Sequence, residues 1–203
     1  MPKVTEDHRE ERRQHILDAA INCFTRNGFH QTTMKDISKE ADVSAGTVYI
    51  YFSSKDDIIE ASMRRNQEAR AARIEATKRE GLTLQSFREF WDYYEKRMAK
   101  AHTDKAWKLW IQLLAEALRN PRIRESMRAN WDDAENQTVE LLRRAAEQGI
   151  INPDLDCDAI GKMFTALHDG LVLMKIIDPK KDVYKYFNAC RALLYNYGKT
   201  PSS

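Results

Sequence analysis

The chain has 203 residues, enough for one large or two small domains with a buried core. Its 33 Lys and Arg against 31 Asp and Glu leave a net charge of only +2, so no global basic excess marks a nucleic-acid binder and any positive face must be local. Seven glycines and five prolines are sparse in a chain that is 32% charged; no internal repeat or low-complexity tract appears, and the recurring Arg, Lys, Glu, Ala and Leu favour helix throughout.

A first helix is predicted over about residues 7–27, where Ile16, Leu17, Ala20, Ile21 and Phe24 recur at helical spacing. Gly28 ends it as a C-cap and Phe29 folds back onto the core. Thr33 then makes a good N-cap, with Asp36 three places on to return the bond. Ile37 and Ala41 give this short helix one apolar face, the chain turns at Asp42-Val43, and Val43 plugs the corner. Ser44 caps another short helix that stops near Tyr51-Phe52. With Ile37, Val43, Val48 and Phe52 the first helix builds a small three-helix core. Two short helices about a tight corner form the helix-turn-helix layout, whose second helix lies in the major groove. Ser44, Ala45, Gly46 and Thr47 are small enough to let that helix approach a phosphate or base edge, and Gly46 is otherwise a poor helix residue. Tyr49 and Tyr51 offer hydroxyls to phosphate, and Lys55 a cation. Arg12, Arg13, Lys35 and Lys39 complete the local positive charge. Periodicity alone also fits, and favours, a plain helical hairpin inside a bundle.

A fourth helix is predicted over about 54–79, apolar early (Ile58, Ile59, Met63) and charged later, broken by Gly81-Leu82-Thr83. A long helix with one end in each half of the molecule is a natural lever. From Thr83 large apolar groups take over: Leu84, Phe87, Trp91, Tyr94 and Met98 in one stripe, then Trp107, Trp110, Ile111, Leu114 and Leu118 up to Asn120-Pro121. Ile123, Met127, Trp131, Ala134, Leu141, Leu142 and Ala145 line the next helix, closed by Gly149 and Pro153. Two last helices are predicted over about 156–177 and 179–197, with Gly170 permitting close helix approach, and Lys199–Ser203 form a tail.

Over Ile16–Ile59 the sequence resembles the N-terminal DNA-binding domain of the tetracycline-repressor family of bacterial transcription regulators. The matching residues are Ile16-Leu17-Asp18-Ala19-Ala20, Phe24, Gly28-Phe29, Thr32-Thr33, Ile37, Ala41, Val43-Ser44, Gly46-Thr47, Tyr49, Tyr51-Phe52, Lys55 and Ile58. The resemblance implies an all-α protein, with a helix-turn-helix domain over 1–54 and a ligand-binding and dimerisation bundle over 55–203. DNA contacts are then expected from Thr33, Ser44, Ala45, Gly46, Thr47, Tyr49, Tyr51 and Lys55. The chain departs from the family at Ala45, where many members carry a long polar or basic residue, and at Ile50, where His or a polar residue is common. No Lys or Arg lies between Ser44 and Phe52, so the bidentate arginine–guanine contact is unavailable. Base reading falls to Ser44, Ala45, Thr47 and Tyr49, including apolar contact with thymine methyls.

The family's C-terminal domain implies a small-molecule pocket, for which apolar and aromatic walls with few polar groups are suited. Trp91, Tyr94, Met98, Trp107, Trp110, Leu114, Trp131 and His168 are the candidates by chemistry and helix position; a solid bundle core is the simpler reading of the same residues. The resemblance also implies that the last two helices pair with their twins in a homodimer, through Phe164, Leu167, Leu171, Met174, Tyr184, Phe187 and Leu194, setting two reading helices about 34–36 Å apart.

His168-Asp169 are neighbours that point apart on a helix and so make no acid–base pair. No metal-ligand spacing, P-loop, G-x-S-x-G or dinucleotide fingerprint occurs, and neither an enzyme activity, a metal nor a cofactor is expected. Cys23, Cys157 and Cys190 form no C-x-x-C pair, and no apolar run reaches the about 18 residues of a membrane span; a cytoplasmic protein without a membrane partner is expected. The function implied is a ligand-responsive repressor, released from a palindromic double-stranded DNA operator by a small hydrophobic or aromatic effector. The alternative is a helix-turn-helix regulator without such a ligand, controlled by a protein partner.

Overall fold

The computed structural model describes residues 6–80, 82–101 and 103–196, except for the side chains at 73, 74, 76–80, 86 and 194–196. Gly81, the 199–203 tail and the side chain of Leu194 therefore lie outside the described residues. Nine helices account for the regular structure there: α1 (Glu6–Asn27), α2 (Met34–Glu40), α3 (Ala45–Tyr51), α4 (Lys55–Glu80), α5 (Leu84–Ala99), α6 (Lys105–Ala117), α7 (Pro121–Glu147), α8 (Cys157–Ile177) and α9 (Val183–Asn196). None is long and apolar enough to cross a membrane.

The chain separates into two compact units. The first holds residues up to Asn66 together with Asp104–Asn130; the second holds Gln67–Thr103 and the chain from Trp131 on. This partition differs from a division at residue 54.

In the first unit, Ile16, Leu17, Ala20 and Phe24 of α1 pack with Ile37 and Ala41, Val48 and Phe52, and Ile58 and Ile59 of α4. Leu109 and Leu113 of α6 and Ile123 and Met127 of α7 belong to the same buried cluster. The expected three-helix core is thus completed by chain some eighty residues away. Gly28 closes α1 at φ 88°, a left-handed conformation that costs glycine little, and its N–H bonds the Phe24 carbonyl at 2.9 Å. Leu118, expected in the apolar stripe of α6, ends that helix and is 84% exposed.

In the second unit, aromatic rings from α5, α8 and α9 make the core. Trp91 stands edge-on to Phe87, Phe164 and Phe187 at 6.0, 5.1 and 5.4 Å, and Met98, Val172 and Val183 are fully buried. The glycine that permits close helix packing here is Gly161, not Gly170. A Cβ at Gly161 would lie 2.5 Å from Val139 Cγ2 and 3.1 Å from its backbone, whereas one at Gly170 would meet nothing within 4 Å. The last helix starts at Val183 rather than Pro179, because Asp178–Lys181 is a turn in which the Lys181 N–H bonds the Asp178 carbonyl at 3.0 Å.

Candidate nucleic-acid interface and effector site

The reading unit is assembled by its caps. Thr33 accepts the Asp36 N–H at 3.1 Å, while the Asp36 carboxylate accepts from the Thr33 N–H at 2.9 Å and hydroxyl at 2.7 Å. Those donors hold the Asp36 carboxyl below its usual range. Asp42 takes a left-handed φ of 49° at the corner, which the small polar Asp tolerates. The Val43 N–H then reaches the Ser38 carbonyl at 3.0 Å, and Val43 packs half-buried against the core. Ser44 caps α3, its Oγ accepting the Thr47 N–H at 3.0 Å and lying 2.8 Å from Thr47 Oγ1. From α1, His15 Nε2 bonds the Ala41 carbonyl at 2.9 Å and Arg13 stacks 5.3 Å over the Phe52 ring. Both contacts fix α2 and α3 against α1.

Of the DNA-contact candidates, Thr33, Ser44, Ala45, Gly46 and Tyr49 are exposed, while Thr47, Tyr51 and Lys55 are half-buried. Tyr51 packs against the core cluster. Lys55 is tethered, donating to the Phe29 carbonyl at 2.6 Å and the His30 carbonyl at 3.3 Å with its Nζ 4.6 Å above the Phe29 ring. Burial pushes its pKa down. Its direct partners are therefore the carbonyls that close α1. Ile50, which no sequence argument singled out as a contact, is 69% exposed beside Tyr49 at 55%.

Contacts over long sequence distances brace this unit, and none was legible beforehand. The Phe29 N–H donates to Gln112 Oε1 at 2.9 Å, and buried Glu116 lies 2.5 Å from His30 Nε2 and 3.1 Å from Arg119 Nε. Arg122 of α7 bonds Asp57 and Glu60 of α4, each at 2.5 Å. Asp57 also accepts from the Ser53 hydroxyl and N–H. Bonds from Ser53 first, then from Arg122, hold its carboxyl at about 2.

The effector candidates divide between the units. Trp107, Trp110 and Leu114 belong to the first, with Trp110 and Leu114 packed against the buried cluster of the reading helices. Trp91, Tyr94, Met98, Trp131 and His168 belong to the second. There Tyr94 stands 4.8 Å from the His168 ring and 5.0 Å from Phe164, Met98 is buried, and Trp131 is 37% exposed. His168 Nδ1 lies 3.2 Å from Asp169 Oδ1, so these neighbours do meet, contrary to the expectation from helix geometry. Burial nonetheless pushes the imidazole pKa down, against the pull of Asp169, and the ring is neutral at pH 7. Nearby polar groups are ordered by Asp133, which accepts from Arg70 at 2.8 Å and from Gln137 Nε2 at 2.9 Å. Trp91 Nε1 and Gln137 Oε1 are buried with no hydrogen-bond partner among the described residues.

The proposed dimer residues divide as well. Phe164, Leu171 and Phe187 are 3%, 3% and 0% exposed and so lie in the subunit's own core; Leu167, Met174 and Tyr184 are half-buried. The exposed apolar groups lie on another side of α8, at Met163, Ala166, Leu173 and Ile177 around Gly170, and on α9 at Tyr186, Ala189 and Leu193.

A capped helix-turn-helix braced within one unit, and an aromatic helical bundle in the other, define a DNA-binding transcriptional regulator. The profile described as Bacterial regulatory proteins, tetR family, matches residues 16–62, and that described as BetI-type transcriptional repressor, C-terminal, matches residues 95–185. The regulator UidR of Escherichia coli K12 is 29% identical over 164 residues, 79% of either chain. Salmonella enterica GusR shares the fold at a TM-score of 0.71 with 27% identity, over 95% of this chain and 98% of that one. SmeT in complex with triclosan reaches a TM-score of 0.77 over 95% and 96% of the two chains, at 22% identity that speaks for the fold alone. The chain belongs to the tetracycline-repressor family of helix-turn-helix transcriptional regulators.

Proposed function

We propose that this regulator is a cytoplasmic homodimeric repressor that leaves a palindromic operator when a small hydrophobic or aromatic effector binds the second unit. The observation that carries the effector reading is the ring cluster of Trp91, Tyr94, Phe164 and His168, with Trp91 Nε1 within it, and Gln137 Oε1 on α7 of the same unit, buried and without hydrogen-bond partners among the described residues. An unmade buried hydrogen bond costs about 1–3 kcal/mol, which an effector with one acceptor and one donor would offset. The fold is one that in SmeT holds triclosan. A neutral His168 suits an uncharged or weakly polar guest.

Helices α4 and α7 contribute residues to both units. The effector must favour the DNA-incompetent state, since equal affinity for both states shifts nothing. The second copy is proposed to cover Met163, Ala166, Gly170, Leu173 and Ile177 of α8 with Tyr186, Ala189 and Leu193 of α9. Scattered exposed apolar residues need no explanation, but a stripe at three- and four-residue spacing around an unfilled Gly170 fits a twin helix.

Native mass spectrometry on gently purified protein tests this reading. Two chains carrying a small adduct, whose addition releases bound DNA in a gel shift, is the expected result. A bare monomer would overturn the dimer and the mechanism with it.

A further inference from the structure

We propose that α3 reads thymine C5-methyl groups through an apolar surface of Ala45, Tyr49 and Ile50, with Ile50 the specificity-determining residue. This rests on the DNA-binding reading and narrows it. The helix, Ala-Gly-Thr-Val-Tyr-Ile-Tyr, has no Lys, Arg, Asn, Gln, Asp or Glu, so it offers none of the bidentate donors that select guanine or adenine and no carboxylate acceptor for cytosine N4. The Ser44 and Thr47 hydroxyls are engaged with each other at 2.8 Å and with the Thr47 N–H. Val48 is buried and Tyr51 rests on the core. What remains exposed is Ala45, Gly46, Tyr49 and Ile50.

Positions 45, 46, 49 and 50 fall on one side of a helix. Gly46 adds no side chain, so the surface presents the Ala45 methyl, the Tyr49 ring and the branched Ile50 side chain. In the major groove the one apolar feature a base pair presents is the thymine methyl. An isoleucine 69% exposed at that place matches it, and on any other base edge it would desolvate polar atoms without return.

The test uses the full-length chain. It selects duplexes from a random pool, and each thymine of the selected half-site is then replaced singly by deoxyuridine, which removes only the methyl. Fluorescence-anisotropy titration should show about a fourfold loss for at least one thymine per half-site, as expected for one buried methyl-sized group. Ile50→Ala should bind the thymine duplex more weakly and no longer distinguish thymine from uracil there. A thymine·adenine pair exchanged for 5-methylcytosine·guanine at that position should keep affinity within about twofold, because the methyl stays in place. Indifference of the natural chain to every uracil exchange, or discrimination that persists in Ile50→Ala, overturns the proposal. If no sequence is enriched from the pool, the DNA-binding reading itself fails and takes this one with it.

Discussion

Lys55 shows how a residue's partners decide its role. A cation at the start of α4 reads from sequence as a phosphate contact, yet its ammonium lies on the Phe29 and His30 carbonyls and over the Phe29 ring. Lys55→Ala should therefore lower stability by about 1–2 kcal/mol, the cost of a charge-assisted bond to the part-buried Phe29 carbonyl, and weaken operator binding through the displaced turn. Thermal melting checks this, since a lysine acting only on phosphate would leave the melting temperature of the free protein unchanged. Asp57 gives the acid side of the same unit. Its carboxyl titrates at about 2 folded against an ordinary 3.8, so it binds its proton more weakly in the native state. The stability it lends is full above about pH 4 and is lost as pH falls toward 2. Discounted for its partial exposure, this amounts to about 1–2 kcal/mol. Denaturant titrations of Asp57→Asn and the natural chain should differ by that much at pH 7 and converge near pH 2–3; a gap that is independent of pH would contradict the assignment.

At the scale of elements, what was legible in the sequence was local. Thr33 with Asp36 and Ser44 with Thr47 announce the starts of α2 and α3 because a cap and its partner lie three residues apart. Gly28 announces the end of α1 because glycine takes the left-handed backbone of a C-cap at little cost. The attachment of α6 and α7 to the DNA-binding unit was not legible, because Gln112, Glu116 and Arg122 meet partners some sixty to ninety residues away. Trp110 carries the practical consequence: it packs against the DNA-binding core, so Trp110→Ala should lower thermal stability and operator affinity rather than act on effector response alone. Nor could sequence tell which side of α8 is buried. With Met163, Phe164, Leu167, Leu171, Leu173, Met174 and Ile177 the helix is apolar nearly all round, and a pattern without a polar face points nowhere. The glycines of α8 separate its two sides experimentally. Gly161→Ala forces a Cβ against the Val139 backbone and should cost about 1–3 kcal/mol, read as a drop of several degrees in melting temperature. Gly170→Ala enters open space and should raise the isolated subunit's stability by about 0.5–1 kcal/mol through alanine's better helix propensity. Equal effects of the two would refute the packing described for α7 and α8.

At the scale of the whole molecule, the proposed dimer would set two α3 helices against one face of DNA. Phe164 and Leu171 lie in the subunit's own core, so the proposed dimer face is the exposed stripe on another side of α8. Leu173→Glu places a charge in the middle of the exposed stripe. It should yield a monomer in sedimentation equilibrium and reduce operator affinity on the order of 100-fold, because each half-site then binds without its linked partner. The spacing of the operator reports on the paired reading helices directly. The selected duplex is titrated beside one carrying an insertion of about five base pairs between its half-sites, half of the about 10.5-base-pair turn. Two chains per duplex are expected on the first and a collapse of affinity on the second, where one half-site faces away. Equal affinity for both duplexes would contradict paired reading helices and the dimer that sets their separation.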